Sequence, residues 1–164
     1  MKHRVNEAYR PIAEKLVDKF DELQGVPVHN ILFIENTETV KKKDGKFICA
    51  QVSAVPEKWS EIIRQTGNRQ YDFVIEIFKV NTSLLTQNQV IAVIYHELRR
   101  IQDMGGNLKV VSHDIEDWSE MIEHLGQNWA MEGADIPDLT DENIDWDDIV
   151  PVTLFTEAQL RLVK

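Results

Sequence analysis

The sequence predicts an α+β fold with an N-terminal helix, a small mixed sheet of three or four strands and two later helices. Apolar residues recur every three or four positions over residues 6–24 and 87–102, the period of a helix that is buried on one face. Segments 31–35, 46–55 and 71–80 are rich in β-branched and aromatic residues, which is typical of strands. A chain of 164 residues is long enough to bury a core without disulfide bonds.

The first helix is predicted over residues 6–24. Its regular part should begin near Tyr9, because Pro11 is tolerated only in the first turn of a helix. Gly25 and Pro27 are expected to end it.

Strand pairing is predicted from the turn signal Asp44-Gly45, which favours a hairpin between strands 31–35 and 46–55. Segment 71–80 is rather apolar on both sides, so we expect a strand that is partly covered on each face. Residues 56–70 are expected to form a short helix or an ordered loop.

The central helix is predicted to run from about residue 87 to residue 102. Thr86 and Gln89 have the spacing of a capping box, which satisfies the free N–H groups at a helix start. At 100° per residue, His96 and Arg100 fall on one stripe beside the apolar face, with Glu97 next to them.

The second of the later helices, a backing helix, is predicted to start at Ser112 or His113 and to stop at Gly126. A Gly105-Gly106 turn and an extended piece at 108–111 should join it to the central helix.

Negative charge is concentrated near the C-terminus. The net charge is −10, and the stretch from Glu132 to Asp148 holds eight acidic residues and no Lys or Arg. We therefore divide the chain into a domain at 1–130 and an acidic C-terminal extension at 131–164, expected to be a solvated appendage. Its acidic side chains could also bind a partner or mimic a nucleic-acid backbone.

Composition also bears on partners and location. Nucleic-acid binding is disfavoured, because contacts to phosphate need clustered Lys and Arg, and the cluster at 41–43 is better explained as a hairpin tip. We expect no membrane partner, since the apolar run around the central motif is far shorter than a membrane span. The single cysteine, Cys49, fits a reducing cytosol.

The candidate chemistry lies at His96 and Glu97. In a His-Glu-x-x-His helix, the two histidines bind zinc and the glutamate acts as general base. Here the second histidine position is Arg100, but His113 follows. Glu116 and Asp117, three and four residues after His113, can reach toward the same point on a helix. A catalytic zinc needs three protein ligands and one open position for water.

Three segments together resemble the phage metallopeptidase family, a compact zincin-like group encoded in phages and prophages. They are YDFVI at 71–75, YHELRRI at 95–101 and VSHDIEDW at 111–118, and the resemblance covers about residues 5–126. It implies a zincin-like domain that binds zinc at His96 and His113, with Glu116 as a further ligand or orienting group. Glu97 would be the catalytic residue for hydrolysis of peptide bonds in the host cytosol.

The presence of Arg100 at this position leaves two interpretations of the protein's function open. In an active peptidase, Arg100 swings outward, zinc is held by His96, His113 and Glu116, and segment 71–80 is the edge strand that receives the substrate. In an inactive zincin-like protein, Arg100 replaces the metal's charge and pairs with Glu97 and Glu116. The acidic surface would then bind a host protein, in an anti-defence or nucleic-acid-mimic role. A purely structural role is also open, since His113 and Glu116 suit the first turn of a helix.

Overall fold

The computed structural model describes residues 1–67, 69–112, 118–126 and 128–149. It is a mixed α+β structure, as predicted. The strands are β1 (His3–Val5), β2 (Ile31–Asn36), β3 (Lys42–Lys43), β4 (Lys46–Phe47), β5 (Ala50–Ala54), β6 (Phe73–Phe78), β7 (Ile101–Asp103) and β8 (Leu108–Val110). The helices are α1 (Tyr9–Lys19), α2 (Glu57–Gly67), α3 (Lys79–Thr82), α4 (Gln87–Leu98) and α5 (Ser119–Leu125). Within the described residues, no helix has the length and apolar character needed to cross a membrane.

The main sheet has four strands in the order β1-β2-β6-β5. β2 and β6 are parallel and both outer strands are antiparallel, so the prediction of a small mixed sheet is confirmed. Two details of the prediction are wrong. The turn at Asp44-Gly45 joins only the short β3 and β4, and β2 pairs with β6 rather than with β5. Segment 71–80 supplies an interior strand, and β5 is the edge strand on that side.

The core lies where α1 and α4 pack against the sheet. Phe33 of β2, Ile75 of β6, and Ile94 and Leu98 of α4 are fully buried. Burial of each such side chain contributes roughly 1.5–3 kcal/mol relative to leaving it in water. This packing fixes the position of the last turn of α4 relative to the sheet.

The helices begin largely where the sequence predicts and end earlier. α1 starts at Tyr9, and a separate 3₁₀ turn replaces its predicted last turn. The capping box of Thr86 and Gln89 is present at the start of α4. α4 ends at Leu98 rather than near residue 102, because the chain turns there into the β7–β8 hairpin.

The backing helix is shorter than predicted. Trp118 has extended backbone angles and caps α5, so the helix starts at Ser119 and not at Ser112 or His113. Its end at Gly126, where φ is 88°, is confirmed. The predicted helical spacing of His113 and Glu116 falls on residues outside the described part of the chain.

The acidic segment was expected to be a solvated appendage, but its described part, as far as residue 149, packs against the rest of the protein. Ile136 and Leu139 are buried, and the Lys19 ammonium donates to the backbone oxygens of Leu139 and Asp141 at 2.9 and 2.7 Å. The Trp146 ring lies 4.9 Å from that of Phe20. The backbone therefore packs on the body of the protein while most of the acidic side chains stay at the surface. A boundary near residue 130 stays a prediction.

Candidate functional site

The site is built on the last turn of α4, which packs against β5 and α1. Tyr95 holds this turn in place, because its buried hydroxyl donates a hydrogen bond to the Glu22 carboxylate at 2.5 Å. Burial raises the pKa of the Tyr95 phenol far above its ordinary value, and the neighbouring Glu22 raises it further. His96 and Glu97 follow Tyr95 directly on this turn.

Glu97 is a buried carboxylate, with 4 % of its surface exposed. Its Oε2 accepts a hydrogen bond from the backbone N–H of Val52 in β5 at 2.9 Å. Its Oε1 lies 2.9 Å from Nδ1 of His96. Since a buried carboxylate needs such donors, these contacts hold Glu97 between α4 and the edge of the sheet.

The contact with Glu97 sets the orientation of the His96 ring. A carboxylate only accepts hydrogen bonds, so the neutral ring carries its hydrogen on Nδ1 and its lone pair on Nε2. The ring is partly buried, with its centre 6.4 Å from the Trp118 ring and 5.7 Å from the Trp129 ring. Nε2 is therefore the nitrogen through which neutral His96 could bind a metal.

Trp118 ties the start of α5 to this point. Its indole N–H donates to the backbone oxygen of His96 at 2.8 Å. The Arg99 guanidinium lies 4.7 Å from the centre of the Trp118 ring, and its Nε donates to Glu120 at 2.5 Å. The residue that follows segment 113–117 is thus fixed beside His96.

Arg100 points toward the candidate catalytic carboxylate. Its Nη1 lies 3.8 Å from Oε2 of Glu97, and its Nε donates to the backbone oxygen of Val111 at 3.0 Å. A permanent cation thus stands close to the carboxylate, at the chain position where a His-Glu-x-x-His helix has its second ligand.

The described residues do not form a metal site by themselves. They include no group of three or more His, Cys, Asp or Glu residues that could hold a metal ion. Of the predicted ligands, only His96 falls within them, because His113 and Glu116 lie outside the described residues. Burial raises the pKa of the Cys49 thiol above its ordinary value, and the charge of Glu97 raises it further.

A groove of about 710 Å³ opens near the end of β5, between α2 and the tip of the β7–β8 hairpin. Ala54 and Val55 border it on the sheet side, and Asn107 borders it at the hairpin tip. Glu57 and Arg64 line it from α2. The groove is two residues along β5 from the Val52 N–H that contacts Glu97, and His96 and Glu97 do not line it.

Comparison with known protein families shows which family the chain belongs to. A family model described as "Putative phage metallopeptidase" matches residues 1–142. The chain belongs to this family. The match extends beyond residue 126, where the resemblance was expected to end, and includes part of the acidic segment. No match was found among curated proteins or among solved structures.

Sequence reasoning found His96, Glu97 and Arg100 but missed two groups that hold them. The Val52 N–H is a backbone group, and no side-chain pattern signals which amide will meet a carboxylate. Trp118 is buried, and its bond to the His96 backbone depends on the hairpin between α4 and α5. Both contacts are long-range and follow from tertiary packing.

Proposed function

We propose that this protein is a zinc-dependent peptidase of phage or prophage origin that acts in the host cytosol. The observation that carries the proposal is the contact between Glu97 and the outer edge of β5. It places a buried carboxylate, beside an eligible zinc ligand, next to an edge strand. Membership of a metallopeptidase family supports the same chemistry.

The peptide substrate would bind as an extended strand alongside β5. An edge strand offers backbone N–H and C=O groups to another chain, and such strand addition is a common mode of peptide recognition. The role that we expected of segment 71–80 passes to β5, because β6 is enclosed by β2 and β5. The groove beside Ala54 would receive a substrate side chain two residues away from Val52.

The zinc ligands in this proposal are His96, His113 and Glu116, giving a zincin-like centre. The metal would supply the nucleophile as a coordinated water whose pKa is lowered to near 7. Glu97 would take the proton from that water through a carboxylate oxygen and pass it to the leaving amine. His96 would direct Nε2 to the metal while its Nδ1 hydrogen bond to Glu97 holds the ring.

A second function is favoured by the contact between Arg100 and Glu97. If the guanidinium takes the place of the metal's charge, the protein is a catalytically inactive member of the family that works by binding. Its exposed acidic side chains between residues 132 and 147 would then engage a basic surface on a host protein. This alternative requires neither zinc nor hydrolysis.

The proposed function is tested by hydrolysis of an unfolded, fluorescently labelled polypeptide. We expect turnover by the wild-type protein and a loss of at least about a hundredfold in Glu97→Gln, because a general base contributes roughly 10²–10⁴-fold. Glu132→Gln, at an exposed surface position, is the matched control and should keep full activity. Equal activity of Glu97→Gln and the wild type would overturn the assignment. Absence of turnover in zinc-loaded wild-type protein would favour the binding function.

A further inference from the structure

We propose that the β3–β4 hairpin binds single-stranded nucleic acid, with its lysines on the phosphates and the Phe47 ring against a base. The composition of the whole chain disfavours such a partner, but the hairpin is a separate exposed element with a charge of its own. Residues 40–47 hold four lysines and one aspartate, a local charge of +3 in a chain of net charge −10. The inference goes beyond the proposed function, because it requires neither zinc nor hydrolysis.

The hairpin holds its lysines in a defined arrangement. Both residues of the Asp44-Gly45 turn have positive φ, 51° and 76°, as a two-residue type I′ turn requires. The register pairs Lys42 with Phe47 and Lys43 with Lys46. Paired residues of a ribbon share a face, and successive side chains alternate between the faces. The lysine–phenylalanine pair therefore lies on one face and the lysine–lysine pair on the other.

The base of the hairpin is held by Asn81, which lies in α3. Its side-chain Nδ2 donates to the backbone oxygens of Lys41 and Ile48, both at 2.7 Å. These two residues face each other across the ribbon, where Ile48 N donates to Lys41 O at 3.0 Å. A two-stranded ribbon is marginally stable by itself, so the contacts from Asn81 help to keep the hairpin in place against α3.

The ammonium groups of the hairpin have no carboxylate partner among the described residues. Arg10 of α1, by contrast, is paired with Glu7 at 2.6 Å. Lys43 and Lys46 stand directly opposite each other, and like charges in this arrangement destabilise a ribbon. A polyanion would relieve this repulsion, and its binding is also favoured by the release of counterions from the phosphates.

Phe47 favours a single strand over other anionic partners. Its ring is 60 % exposed, and Nζ of Lys42 lies 4.6 Å from the ring centre, so the ring and a cation form one surface. Proteins that bind single strands stack bases on aromatic rings while basic side chains contact the phosphates. A duplex keeps its bases inside the stack, and the carboxylates of an acidic protein offer the ring no stacking partner. An anionic membrane would first meet the Asp44 carboxylate at the tip of the hairpin.

Fluorescence anisotropy with a fluorescein-labelled oligothymidylate of about 20 nucleotides tests the proposal, since typical single-strand sites are shorter than this probe. If all four lysines contact phosphates, the affinity of the wild type should fall roughly fiftyfold between about 50 and 200 mM salt. Lys43→Gln/Lys46→Gln should bind more weakly, and its slope of log affinity against log salt should be smaller by about 1.4. Phe47→Leu should bind about tenfold more weakly with an unchanged slope, because stacking releases no counterions.

The surface of α2 offers a matched control pair. Nζ of Lys58 lies 5.8 Å from the centre of the Trp59 ring, and that ring is 54 % exposed. The pair resembles the one in the hairpin, but its neighbours in the helix include Glu57 and Glu61 rather than further lysines. Lys58→Gln and Trp59→Leu should therefore leave the affinity for the oligonucleotide unchanged.

A charge-conserving variant separates the lysine charges from the local structure. Lys43→Arg/Lys46→Arg should bind as tightly as the wild type, and loss of binding in this folded variant would contradict the proposal. Absence of wild-type binding at about 50 mM salt, or an equal loss in the hairpin and α2 variants, would overturn it. Equal affinity for a DNA duplex, for polyglutamate or for vesicles of phosphatidylcholine and phosphatidylserine would also overturn it, because the hairpin would then not select unpaired bases.

Discussion

Nη1 of Arg100 lies 3.8 Å from Oε2 of Glu97, at the chain position where a His-Glu-x-x-His helix has its second metal ligand. At about 4 Å and an effective dielectric constant near 20, a guanidinium repels a divalent cation by several kcal/mol. The same contact stabilises the carboxylate in the free protein. Arg100 therefore opposes metal binding by its charge, and it also leaves one ligand fewer.

Arg100→His should raise the affinity for zinc by at least about tenfold, because it removes the repulsion and adds a neutral ligand. The measurement is competition with a chromophoric zinc chelator at neutral pH. Arg64→His, on α2 beside the groove, is the control and should leave the affinity unchanged. Equal or weaker zinc binding in Arg100→His would mean that position 100 does not face the metal site.

Trp118→Phe should weaken zinc binding while costing about 1 kcal/mol of stability, because it removes the hydrogen bond to the His96 backbone and keeps an aromatic ring. Zinc titration and chemical denaturation measure the two effects. Trp59→Phe, at a ring that is 54 % exposed, should change neither. A fall in stability without any change in zinc affinity would limit Trp118 to a structural role.

Glu35 should make the protein sensitive to acid. Burial by itself raises the pKa of this carboxyl, but hydrogen bonds from Tyr9, Asn6 and Arg4 and the charge of Lys79 outweigh it and bring the pKa to about 2. A lowered pKa stabilises the folded state above the unfolded value of 4.5, and the contribution is lost as the pH falls toward 2.

As Glu35 becomes protonated, the free energy of unfolding should fall by about 2 kcal/mol. This is less than the full pKa shift implies, because exposed Arg4 is screened by solvent. Urea denaturation of the wild type and Glu35→Gln between pH 6 and pH 2 measures it. The variant should be less stable at pH 6 and should lack this component of the pH dependence. Parallel pH curves for the two proteins would contradict the assignment.

Leu139→Ala should lower the free energy of unfolding by about 2–4 kcal/mol, since Leu139 is fully buried although it lies in the acidic segment. Leu84→Ala, at a side chain that is 67 % exposed, should cost less than about 0.5 kcal/mol. Chemical denaturation checks both variants. A negligible cost at Leu139 would show that the acidic segment is held weakly and would return it to the status of an appendage.

The sequence predicts those parts of the fold that depend on local patterns. The capping residues Thr86 and Gln89, the start of α1 at Tyr9 and the stop at Gly126 follow from local signals, and the structure has all three. Strand order does not follow from local signals. The parallel pairing of β2 with β6 needs a crossover, whereas the adjacent turn at 44–45 favours a hairpin that forms only over two residue pairs.

The same distinction holds for the site. His96, Glu97 and Arg100 are adjacent on one turn, so their proximity follows from helical geometry. The burial of Leu139 was not predicted, because the stretch around it contains eight acidic residues and only a few apolar residues that pack inward. The convergence of His113 and Glu116 with His96 stays a prediction.

The zinc content of the protein, purified without chelator, tests the central proposal most directly. We predict about one zinc per chain in the wild type, and its loss in His96→Ala and in His113→Ala, since a catalytic site needs three protein ligands. Glu132→Ala should keep the metal. A wild-type protein that is correctly folded and holds no zinc, even after incubation with excess zinc, would contradict the proposed peptidase.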